Sequence, residues 1–137
     1  MAERKTLTFA IMDAPYESAR STTALRLIDL ALRRGYDVNV FAYEGAVTLP
    51  FAKQQPHPNA VHDRSLEEED HPNPKDWVSA LMVEAKKRGL TFNWVQCGLC
   101  VDERGATEWI EGPRRGSPVD FWKFVAESDN TLVIPTK

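Results

Sequence analysis

Cysteine is nearly absent from this chain: Cys97 and Cys100, separated by two residues, are the only two among 137. Such a pair is a poor disulfide framework for a domain of this size, and a cytosol keeps most thiols reduced, so reactive chemistry or metal binding is the better question for it. No apolar run approaches the length needed to span a bilayer, which argues against a membrane protein. The opening Met1-Ala2-Glu3-Arg4-Lys5 leads into a short strand and lacks a signal-peptide core, so the expected location is cytoplasmic. Positive charge is not in excess either. The net charge is −3, and the basic residues sit mainly at helix ends, which argues against a nucleic-acid partner. A glycine-rich phosphate loop is also missing. Asp13-Ala14-Pro15-Tyr16-Glu17 carries two acids where a phosphate would sit, and no cofactor is expected.

What is present is an ordinary globular composition, 42% hydrophobic and 27% charged, which excludes a disordered or coiled-coil chain. The length suits one domain over residues 1–137. Leu7 to Met12 is an apolar run stopped by Asp13-Ala14-Pro15, the pattern of a buried strand. Ala24, Leu25, Ile28, Ala31 and Leu32 recur at helical spacing between about Ser21 and Arg34, with Gly35 at the end. Asp37 to Tyr43 then alternates as a strand. The same grammar repeats in a helix from about Asp76, with Trp77, Ala80, Leu81, Glu84 and Ala85 on one face, a Lys87-Arg88-Gly89 stop, and a strand from Leu90 to Val95. Ser117-Pro118-Val119-Asp120 has the form of a capped helix start, followed by Phe121, Phe124 and Val125 on one face and a last strand, Thr131 to Ile134.

Strands alternating with helices predict an α/β fold, a three-layer sandwich with a mainly parallel central sheet flanked by helices. In such sheets the ligand groups gather beyond the carboxyl ends of the strands, which makes Asp13 to Ser18 and Gln96 to Cys100 candidate neighbours. Residues 45–75 hold five of the nine prolines and all three histidines and are expected to form a long surface loop without core strands. His57, His62 and His71 with Glu67, Glu68, Glu69 and Asp70 are spaced irregularly there, so solvated side chains are expected in place of a metal site.

Cys97 follows directly on an apolar strand, and a short helix beginning near Val101, with Asp102 and Glu103 in its first turn, is expected to follow it. A thiol at a strand-to-helix turn faces backbone N–H groups that favour the thiolate, the form that reacts. Arg104 adds a cation while Asp102 and Glu103 oppose it. Gly98 lets the backbone approach a bound sulfur species closely, and Gly105 lets the chain leave the helix. The alternative for Cys97 and Cys100 is two small buried apolar residues.

Phe9-Ala10-Ile11, Pro15-Tyr16, Ser21-Thr22-Thr23-Ala24, the Gly35 joint, Phe41-Ala42-Tyr43-Glu44-Gly45-Ala46-Val47, and Cys97 eight residues before Gly105 together resemble the DsrE/TusD family, DsrE/DsrF-like proteins, over nearly the whole chain. The resemblance implies a small α/β sulfur-relay subunit that carries sulfur as a persulfide on one cysteine, here Cys97, and assembles as a homo-oligomer, a trimer or hexamer. The four tryptophans in so small a chain fit an assembly as well as a core. The chain departs from typical members in its long 45–75 loop and in its second thiol.

Three functions follow from these residues. The first is a sulfurtransferase or sulfur carrier with Cys97 as nucleophile, Cys100 assisting, and Tyr16, Ser18, Gly98 and Arg104 as substrate-binding neighbours. Its partners would be a sulfur-donor or acceptor protein or a small sulfur compound. The second is a thiol-disulfide oxidoreductase using Cys97-Gly98-Leu99-Cys100, although the motif comes late in the chain and Leu99 stands where thioredoxins carry proline. The third is an oligomeric metal-binding module in which each subunit contributes one Cys-x-x-Cys.

Overall fold

The computed structural model describes residues 3–69 and 73–136. Its strands are β1 (Thr6–Ile11), β2 (Asp37–Ala42), β3 (Phe92–Cys97), β4 (Arg114–Gly116) and β5 (Asn130–Ile134), joined into one sheet in the order β4-β3-β2-β1-β5. Every pairing is parallel, so the sheet is not merely mainly parallel, as the sequence suggests, but wholly so. The helices are α1 (Ala19–Arg33), α2 (Leu66–Glu69), α3 (Pro74–Lys87), α4 (Gly98–Arg104) and α5 (Pro118–Glu127).

The layering follows from strand alternation. Phe41 stacks on Phe121 of α5 with ring centroids 5.4 Å apart, which turns Asn39, Phe41 and the next odd position, Tyr43, toward α5. Val38, Val40 and Ala42 therefore point the other way, where α1 packs on β1 and β2, α3 packs on β3, and the two helices touch each other. Ala24, Leu25, Ile28 and Leu32 of α1 and Val78, Leu81 and Ala85 of α3 are buried on that side. Successive crossovers on one face carry the chain from β1 to β2 to β3, and α5 returns it across the other face to β5 beside β1.

Local signals place most boundaries. Gly35 and Gly89 take positive φ values of 82° and 67° just past α1 and α3, the left-handed turn that lets each helix feed directly into a strand. The basic residues before them form helix-end ion pairs, Arg33 with Asp29 and Arg88 with Glu84. Ser117 and Asp120 form a full capping box at α5.

Several expectations are corrected. Helix α4 begins at Gly98 and not near Val101, so Asp102 and Glu103 lie toward its end and not in its first turn. Strand β4 carries no recognisable strand pattern in the sequence, yet its backbone pairs with the end of β3. Ala80 is exposed on α3 and Val125 is exposed on α5 because each helix buries a narrower stripe than its apolar residues suggest. The 45–75 segment also begins in the core: the 3-10 turn Glu44–Thr48 buries Ala46 and Val47, and Leu49 follows them, before the chain runs over the surface. His71 and Asp70 lie outside the described residues.

Candidate functional site

β3 passes from half-buried residues at its start to fully buried ones at its end, delivering Cys97 to the carboxyl edge of the sheet. The strand end is fixed from the α1/α3 side. Trp94 Nε1 donates to Gln96 Oε1 at 2.8 Å, and Gln96 Nε2 donates to the Val47 carbonyl at 2.7 Å, tying β3 to the Glu44–Thr48 turn. Alternation then puts Cys97 with Val95 on the opposite side, the side of Phe41, Tyr43 and α5. Cys97 caps α4 with no intervening loop, and Cys100 lies one turn further on. Both are free thiols, 3% and 5% exposed.

The two thiols are electrostatically unlike. Burial pushes the Cys100 thiol up to about 11, helped by its hydrogen bond with Cys97 and opposed by the Glu44 backbone N–H, which donates to Cys100 Sγ at 3.2 Å. Cys100 is therefore a neutral thiol at physiological pH. Tyr43 closes the same space: the Glu44 carboxylate, then negative charge on Cys100, raise its phenol above the ordinary value, and charge on Cys97 contributes in the same direction.

A cation lies on the other flank. The Arg115 guanidinium rests on Gly98 so closely that a Cβ there would stand 2.7 Å from Nε and 2.8 Å from Cζ. Asp102 holds this guanidinium through two hydrogen bonds of 2.9 and 2.7 Å. The pairing keeps the Asp102 carboxyl below the usual carboxylate range and raises Arg115, to which negative charge on Cys97 also adds. The absence of a side chain at Gly98 thus makes room for a cation, a different use from the close backbone approach expected of it.

The remaining candidates sit elsewhere along the same edge. Ser18 is the N-cap of α1: its hydroxyl accepts from the Arg20 N–H at 3.1 Å and donates to Asp13. Tyr16 is exposed in a left-handed conformation, φ 68°, with its ring edge-on to His57. Arg104 pairs with Glu44 at 2.8 Å. It lies between two open clefts, one of about 470 Å³ shared with Tyr16, Phe51 and His57 and one of about 580 Å³ shared with Ser18, Tyr43 and Glu44. Neither cleft is lined by Cys97 or Cys100. Tyr16 and Ser18 are thus brought to Arg104 but not to the thiols. The chain just after β2, Tyr43 to Gly45, stands between them, with Gly45 against Ala14 and the Ala46 N–H bonded to the Met12 carbonyl.

Arg115, Tyr43 and Glu44 are the site neighbours that sequence reasoning does not single out. Tyr43 and Glu44 follow a recognised strand, and a sheet order with β2 between β1 and β3 would have pointed to them. Arg115 has only a weak signal, a basic pair between two proline-containing turns, Gly112-Pro113 and Ser117-Pro118. Among the described residues, no group of three or more histidines, cysteines or carboxylates is placed to hold a metal ion. No helix of the described residues is long and apolar enough to cross a membrane.

Compared with known proteins, the sequence matches the DsrE/DsrF-like family over residues 5–134. It is 33% identical over 129 residues to an uncharacterized protein of Methanocaldococcus jannaschii, spanning 91% of this chain and 96% of that one. An uncharacterized protein of Methanopyrus kandleri is 31% identical over 128 residues, spanning 92% and 91%. Among solved structures, the YchN protein of E. coli superposes with a TM-score of 0.69 at 22% identity, covering 96% of this chain and 99% of that one. A conserved protein of unknown function from Bacteroides thetaiotaomicron does so with a TM-score of 0.58 at 13% identity, covering 95% of each. The chain belongs to the DsrE/DsrF-like family.

Proposed function

We propose that this member of the DsrE/DsrF-like family is a sulfurtransferase or sulfur carrier that takes sulfane sulfur onto Cys97 as a persulfide and passes it on. Family membership supports a role in sulfur relay. The observation that carries the finer reading is the asymmetry of the thiols: Cys97 ends a buried parallel strand beside the Arg115 cation, whereas Cys100 is held protonated.

The chemistry is a displacement at sulfur. The Cys97 thiolate attacks the outer sulfur of a donor persulfide, R–S–S⁻. The new S–S bond forms as the old one breaks, and R–S⁻ leaves with the electron pair. An acceptor thiolate repeats the displacement on Cys97–S–S⁻ and regenerates the Cys97 thiolate, with no net oxidation. Cys100 shapes the lifetime of the loaded state. Attack by its thiolate on the inner sulfur would release sulfide and leave a Cys97–Cys100 disulfide, but a thiol at about 11 is ionised at pH 7 to only about one part in ten thousand.

Intact-mass spectrometry after exposure to a persulfide or polysulfide donor tests this directly. Gain of a sulfur atom, located to Cys97 by peptide mapping and removable by an acceptor thiol, is the expected result. The nearness of the two thiols across one helical turn favours one second reading, a thiol-disulfide oxidoreductase, which predicts a loss of two hydrogens in place of sulfur uptake. A homo-oligomer, a trimer or hexamer, is part of the same proposal. Trp122 is 74% exposed on α5, beside exposed Val119 and Val125, an apolar stripe that self-association would cover. Light scattering at micromolar concentration checks it, and a mass of one chain would remove the claim.

A further inference from the structure

We propose that Arg115 holds the negatively charged sulfur at Cys97 and selects anionic sulfur compounds as partners for that thiol. The inference rests on the sulfur-carrier reading and adds the residue and the charge class through which the site would discriminate. Both the Cys97 thiolate and a Cys97 persulfide are anions, and their donors and acceptors are anions as they react. Two negative sulfurs that must approach each other repel unless a cation stands between them.

Arg115 is placed for that task by two features of α4. In the sheet it pairs with Gln96, and Gly116 with Cys97, so its side chain leaves β4 on the Gln96 face and nears the thiol only around the edge strand, where negative charge on Cys97 still acts on it. Gly98, the residue after Cys97, has no side chain to keep the guanidinium away, and any Cβ there would collide with it. Asp102 fixes its orientation with a bidentate pair, two helical residues beyond Cys100. Asp102 neutralises part of the charge, and an incoming anion shares the guanidinium with it.

A purely structural ion pair between β4 and α4 would have the same geometry, so the test reads charge selectivity. Alkylation of Cys97, resolved from Cys100 by peptide mapping, is followed with anionic iodoacetate and neutral iodoacetamide. The wild-type chain is expected to favour iodoacetate by roughly five- to tenfold relative to a free cysteine, and salt should screen the preference. Arg115→Gln should remove it and Arg115→Lys should keep part of it. Asp102→Asn breaks the pair but leaves the cation, and should retain the preference. Equal selectivity in wild type and Arg115→Gln, or equal loss in Arg115→Gln and Asp102→Asn, would overturn the inference. Sulfur loading measured on the same proteins separates the two claims. If the wild type takes up no sulfur from persulfide or polysulfide, the carrier reading fails, and the selectivity of the thiol no longer describes a sulfur-relay site. If it loads sulfur but shows no charge preference, only the role of Arg115 is lost.

Discussion

Two strand-to-helix turns share the carboxyl edge of the sheet, and they are built in opposite ways. Between β1 and α1 the chain spends residues 12–18, enough to place an Asp13–Ser18 cap, an exposed left-handed Tyr16 and two open clefts. Between β3 and α4 it spends none, so Cys97 passes from strand to helix cap and both thiols are buried on arrival. A long turn makes surface; an immediate one makes a protected site with fixed neighbours. On the proposed sulfur-carrier reading, the β3–α4 turn carries the chemistry and the β1–α1 turn chiefly serves folding.

The largest expected effect is at Cys97. Cys97→Ser should abolish sulfur loading, because a hydroxyl neither ionises near neutral pH nor forms a persulfide, whereas Cys100→Ser should leave loading at least partly intact. Mass spectrometry with one donor across the three proteins decides this. Full loading of Cys97→Ser would move the nucleophile to Cys100.

Gly98→Ala is a finer cut at the same turn. The three atoms nearest the added methyl all belong to the flexible end of Arg115, so the guanidinium should swing away while the fold keeps its stability within about 1 kcal/mol, Ala being the better helix former. The alkylation preference for iodoacetate should fall several-fold. An unchanged preference with an unchanged melting temperature would show that contact with Gly98 is not what positions the cation.

Alkali separates the turns by their titration. Cys100 titrates higher folded, at about 11, than it does in an unfolded chain, near 8.5, so below that lower value its contribution is fully present. The unfolded chain loses the proton first as pH rises. Stability should therefore decline from about pH 9 to about pH 11, by about 3 kcal/mol at most, and Cys100→Ser should lose this component. Urea unfolding at several alkaline pH values measures it, and an identical decline in Cys100→Ser would contradict the assignment.

The smallest effects belong to the β1–α1 turn. Ser18→Ala removes an N-cap and should cost about 1 kcal/mol while leaving Cys97 loading within twofold of wild type. Tyr16→Phe should likewise leave Cys97 loading within twofold of wild type. A tenfold loss of loading in either variant would restore these residues to the substrate-binding role that the sequence suggests and would erase the distinction between the two turns.

The sequence by itself determined the repeating helix–glycine–strand grammar, the capping box at Ser117 and Asp120, and the arrival of Cys97 at a strand end. These signals are local: periodicity, an αL glycine and a capping pattern act within a few residues. Only the tertiary structure decided the surroundings of the thiol. Asp102 and Glu103 look like acids opening a helix, yet they lie toward its end, where a negative charge is disfavoured by the dipole and Asp102 is compensated by Arg115 from another strand. Arg115 itself comes from a three-residue edge strand, too short to show any alternation, whose place is set by pairing with β3. Tyr43 and Glu44 reach the site because β2 lies between β1 and β3, and strand order follows from how helices cover both faces of a sheet, a long-range property that no window of sequence contains.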